Sequence, residues 1–140
     1  MTDLVDLLTI DQIKEVLLPE TKRLSYVEEI QKVSEDVEHL LQVKSVKLSG
    51  RLIRLIIFLA QTNLHVWHSK DCLEASPEKY YALLEFAQEL NGLRNHIRNL
   101  LMEELDEAAH CHLRSTFLNY DSDTWYSAII DDLKHTEKTS

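Results

Sequence analysis

The sequence predicts an all-α protein, an antiparallel up-down bundle of three long helices with short terminal ones. Three observations carry that prediction. Only two glycines and two prolines occur in 140 residues, against 24 leucines. Sheet-rich folds use glycine and proline repeatedly at tight turns, and two of each cannot supply them. Apolar residues recur at steps of three and four over long stretches, the period of a helix with one buried face. Helix-start signals stand far apart, as long helices require.

The first element is expected at Ile10–Leu18, with Thr9 and Gln12 in the form of a capping box and Pro19 as its stop. A second helix starts near Pro19, with Glu20 in its first turn. Its apolar positions are Tyr26, Val27, Ile30, Val33, Val37, Leu40 and Leu41. Ser49-Gly50 marks the next boundary. The third helix, from about Arg51 to Ser69 or a little beyond, is apolar on more than one side, which predicts a central helix covered by several neighbours.

Ser76-Pro77-Glu78 is the sharpest start signal: serine caps, proline fits the first helical position, and glutamate favours the positive end of the dipole. The fourth helix then runs unbroken except at Gly92 to about His112. At about 54 Å such a helix outgrows a small monomer, which predicts a kink or a homo-oligomer. A loop follows at Asn119–Asp123 and a short amphipathic helix at Trp125–Leu133. Residues 1–134 are expected to form one domain, and 135–140 a polar tail.

Twenty-four acidic against 15 basic side chains give a net charge of -9. That argues against nucleic acid, which needs a basic face. The most apolar run, LIRLIIFLA at Leu52–Ala60, is interrupted by Arg54 and is under half a membrane span, and the acidic N-terminus is unlike a secretory leader. A cytoplasmic protein that does not bind membranes is expected, with Cys72 and Cys111 as free thiols. No glycine-rich phosphate loop can be drawn through Gly50 and Gly92.

The polar residues that stand out flank the third-to-fourth turn. Asn63, Trp67 and Asp71 share one helix face, with His68 beside it; Asn91 and Asn95, and Arg94 and Arg98, are pairs one turn apart. A hairpin turning about residues 74 and 75 would place Asn63 near the level of Phe86, Asn91 near Phe58 and Arg94 near Leu55. Two readings follow. The amides can be a hydrogen-bonded layer that fixes helix register. Alternatively, Asn63, Trp67, His68, Asp71, Asn91, Arg94 and Asn95 can line a pocket for a small anionic or sugar-like ligand, since arginine offers a bidentate fork and asparagine both donor and acceptor.

The pattern N-x3-W-H-x2-D at Asn63, Trp67, His68 and Asp71, followed by L-N-x2-R-N-x-I at Leu90, Asn91, Arg94, Asn95 and Ile97, resembles a bacterial helical domain family of unknown function. Members of that family are often encoded near glycosyltransferases of cell-envelope biosynthesis. The chain departs from the pattern at His96, and at Ser69 and Lys70, where the family commonly has acidic residues. The resemblance covers about a third of the chain and implies weight for these positions but no reaction.

Other chemistries are thinner. His65, His68 and Asp71 mimic a metal-ligand spacing, as does His110-Cys111-His112, but a paired Glu-x-x-His recurrence is missing, so no metal or other cofactor is expected. Glu103, Glu104 and Glu107 resemble the EExxE half of the MazG-related all-α nucleotide pyrophosphohydrolases, which hold magnesium between helices. The second half, an ExxD downstream, is absent. The sequence therefore predicts a non-enzymatic protein-interaction or ligand-binding bundle, with the magnesium-dependent hydrolase as the alternative.

Overall fold

A computed structural model describes residues 1–75 and 77–106. The expectations for the Ser76 cap, the loop at 119–123, the helix at 125–133, the tail at 135–140, Glu107, and His110 to His112 lie outside the described residues. Those residues form four α-helices and no strand: α1 (Thr2–Leu17), α2 (Glu20–Val43), α3 (Gly50–Ala75) and α4 (Tyr80–Glu104), with a short 3-10 turn at Pro77–Lys79 before α4. No described helix is long and apolar enough to cross a membrane.

Helix α1 starts at Thr2, a full two turns before the expected capping box. Thr9 is no cap; it lies inside the helix, and its hydroxyl donates to the Asp6 carbonyl at 2.8 Å. Such back-bonding satisfies a threonine mid-helix. The helix ends at Leu18, which is extended (ψ 152°) because the following Pro19 disfavours the helical region.

Helix α2 closes through a left-handed residue. Ser45 has φ 50°, with the Ser45 amide donating to Gln42 and the Val46 amide to Leu41. This is the Schellman arrangement, which normally recruits glycine. Ser49 then caps α3: its hydroxyl accepts from the Leu52 amide at 3.0 Å, and donates to Glu104 at 3.2 Å.

Helix α4 ends at Glu104, well short of His112, because Asp106 adopts φ 53° and its amide turns back to Glu103. A helix of 25 residues spans about 37 Å. The length argument for self-association therefore falls away.

The core lies where α3 and α4 face each other. Leu52, Leu55 and Leu59 of α3 meet Leu93, Ile97 and Leu101 of α4 and Leu105 just past its end, and Val5 of α1 joins them. Each such side chain contributes about 1.5–3 kcal/mol on burial. Arg51 at the start of α3 pairs with Glu104 at the end of α4 at 3.0 Å, so the two helices run in opposite senses. Helix α1 packs on α3 and, less extensively, on α4, while α2 lies chiefly against α1. Only Val33 of α2 is fully buried. Helix α3 is not covered on all sides as its composition suggests, since Ile53 and Ile57 are exposed.

Candidate functional site

Two features stand beside each other around α1. The first is a buried polar network. Thr2, Asp6, Thr9 and Ile13 recur at steps of three and four, with Val5 beside Asp6, so they share the face of α1 turned toward α3 and α4. Two of them, Asp6 and Thr9, bring a carboxylate and a hydroxyl into a layer where leucine is the ordinary occupant.

Asn63 of α3 answers both. Its Nδ2 donates to Asp6 Oδ1 at 2.8 Å and to Thr9 Oγ1 at 2.7 Å, and its Oδ1 accepts from Arg94 Nε at 2.8 Å. The pattern fixes the amide orientation, because only the oxygen can face the arginine donor and only the nitrogen the carboxylate. The second oxygen of Asp6 forms an ion pair with the Arg94 guanidinium and lies 3.3 Å from Arg98 Nη1. Arg98 also pairs with Asp3, whose side chain is largely exposed.

The electrostatics follow from this enclosure. Burial lowers the pKa of Arg94 from its usual value and the charge of Arg98 adds to that, while Asp6 opposes both. An arginine remains charged regardless, so Asp6 is the anion that makes two neighbouring guanidinium groups tolerable inside the protein. The amide of Asn63 and both carboxylate oxygens of Asp6 are used up within the network. Among the described residues Arg98 Nε is buried without a hydrogen-bond partner, and Asp11 Oδ2 on the opposite face of α1 likewise.

The structure brings together Asn63 and Arg94 from the set singled out in the sequence. It does so because the chain turns at 77–79, not at 74 and 75. Moving the turn by four residues shifts partners by twice that, about two helical turns, so Arg94 comes level with Asn63 and not with Leu55. The other positions fall elsewhere. Asn91, His68 and Asp71 are exposed; Trp67 and Asn95 are half-buried. Asn91 is therefore not at mid-bundle depth. Asp3, Asp6 and Thr9 belong to the network and were not foreseen.

The second feature is an apolar groove of about 610 Å³, with α1 as its floor and α2 and α3 as its walls. Leu8, Ile13, Val16, Leu17, Ile30 and Leu64 supply its apolar surface, and Thr9, Gln12, Ser34, Gln61 and His68 its polar edges. Val16 is 64% exposed and Leu17 45%, unusual values for large apolar side chains in one patch. Ile53 and Ile57, at i and i+4, continue the α3 wall along the same side of that helix. Thr9 links the two features, since it lines the groove and accepts from Asn63.

Glu104 is engaged by Arg51 and Ser49, and Glu103 is exposed. Among the described residues no group of three His, Cys, Asp or Glu side chains is positioned to hold a metal ion. Cys72 is a free, exposed thiol. No protein-family model, curated protein or solved structure matches this chain.

Proposed function

We propose that this chain is a non-enzymatic, cytoplasmic binding protein whose binding surface is the groove between α1, α2 and α3. In this reading the Asp6–Asn63–Arg94–Arg98 network is an internal brace that holds α1 in place as the groove floor. The observation that carries the proposal is the contrast between the two features: Asp6, Asn63 and Arg94 are spent on one another, while the neighbouring apolar surface of α1, α2 and α3 is open among the described residues. A volume of about 610 Å³ is in the range of sites that enclose a small molecule or one short stretch of helix. The lining along α1, from Leu8 to Leu17, is about 13 Å long, which favours an amphipathic helix of two to three turns. Helices α1 to α4 are then an antiparallel up-down bundle with room for one further helix, and the resemblance to the glycosyltransferase-associated bacterial family is compatible with a binding role.

Titration with an anilinonaphthalene sulfonate dye tests the reading. We expect saturable binding with enhanced emission. Val16→Asp with Leu64→Asp should abolish it, whereas Tyr81→Asp, on a side chain 85% exposed, should not. Binding that ignores the groove pair, or none at all, contradicts the proposal.

A further inference from the structure

Resting on the groove assigned above, we infer that its resident occupant is the chain's own segment at Trp125–Leu133, docked in cis, so that any other helix must compete with it. Four observations support this occupant.

The first is where α4 ends. Asp106 lines a depression with Val46, Lys47 and Ser49, at the beginning of α3. The chain therefore leaves the described core at the same end of α3 as Ile53 and Ile57, the exposed apolar pair that leads up to the groove.

The second is reach. The groove's α3 wall runs from Ala60 to His68, about 15–27 Å along the helix from Gly50. Eighteen residues, 107–124, separate Asp106 from the segment. Fully extended they span up to about 60 Å, about two to four times that distance.

The third is length and pattern. Nine residues of helix measure about 13 Å, the same as the Leu8–Leu17 floor and close to the Ala60–His68 wall. Trp125, Ile129 and Leu133 stand at i, i+4 and i+8, with Tyr126 and Ile130 beside them, which makes one apolar stripe.

The fourth is charge. Asp131 lies off that stripe and Asp132 on its edge beside Trp125; no side chain that lines the groove is acidic, so docking brings no like charges together.

The experiment uses the full-length chain and a fluorescein-labelled synthetic peptide of its residues 122–136. A groove open only a tenth of the time weakens apparent affinity about tenfold. We therefore expect Ile129→Asp with Ile130→Asp, which releases the segment, to bind the peptide at least tenfold more tightly than the wild type. Equal affinity in the two overturns cis docking but leaves the groove as a binding site. No saturable binding to either removes the groove reading as well.

A second measurement does not depend on that variant folding. In Trp67→Phe, Trp125 is the single tryptophan. Its emission should be blue-shifted and shielded from acrylamide, and Val16→Asp should red-shift it. A solvent-like spectrum in the parent overturns the proposal. So does a blue shift that vanishes on dilution, which assigns the groove to a second copy of the chain.

Discussion

Asp6→Ala is the perturbation that bears most directly on the brace. Asp6 is 5% exposed, and its carboxylate accepts from Asn63 and faces both Arg94 and Arg98. Removing it leaves two guanidinium groups in a mostly buried layer without their central anion. Breaking one side of a buried ion pair costs about 3–5 kcal/mol. The side chains of Arg94 and Arg98 retain 21% and 13% exposure, and Asp3 still holds Arg98, so the lower end applies. We expect a loss of about 3 kcal/mol, a large part of the roughly 5–15 kcal/mol of a typical domain. In a chain of this size that lowers Tm by about 10 °C.

Urea unfolding followed by circular dichroism, with calorimetry for Tm, measures it. A double-mutant cycle with Arg94→Ala should add a coupling energy above about 1.5 kcal/mol, because the residues share one network. A loss below about 1 kcal/mol, or strict additivity, refutes the reasoning that Asp6 neutralises the layer.

Three further outcomes are expected. Ser45→Gly should stabilise the protein by about 0.5–1 kcal/mol in the same urea assay, because Ser45 holds the left-handed conformation that glycine adopts without a side-chain penalty. Leu55→Ala, at a fully buried side chain, should cost about 2–5 kcal/mol, whereas Ile57→Ala, at a half-exposed one, should cost under about 1 kcal/mol. Lys14→Met should remove an alkaline loss of stability. The pKa of Lys14 is raised from 10.5: burial, the largest single influence, lowers it, but the hydrogen bond and charge of Asp11, with Tyr26 and Glu29, outweigh that. A raised folded-state pKa means that the stabilisation is complete below 10.5 and lost as pH climbs through the higher folded value. Unfolding curves taken across that range, wild type against variant, should therefore diverge least at the alkaline end.

The helical class was readable because its cause is compositional: two glycines, two prolines and a three-four apolar period leave little else. Boundaries were readable where side chains signal them, as at Pro19 and Ser49. They were missed where the signal is conformational. Ser45 and Asp106 terminate helices in the left-handed region without being glycine, so α4 looked continuous to His112.

The site shows the same divide. Asn63 and Arg94 were conspicuous as polar residues in apolar periods, but their partners were not. Asp6 and Thr9 lie near the N-terminus, where a carboxylate and a threonine read as helix-start chemistry, and only the packing of α1 against α3 reveals them as buried acceptors. The groove left no sequence signal of its own. It arises because α2 lies chiefly against α1, which opens a space no periodicity can anticipate.

Backbone and side-chain NMR of the full chain, titrated in parallel with inorganic phosphate and with the anilinonaphthalene sulfonate dye, tests the central claim. The account predicts that the dye moves amide signals within residues 8–17 and 60–68, while phosphate leaves the Arg94 Nε and Asn63 Nδ2 signals in place. Phosphate-dependent shifts at Arg94 and Asn63, with the groove unmoved by the dye, would make the polar layer the binding site and contradict it.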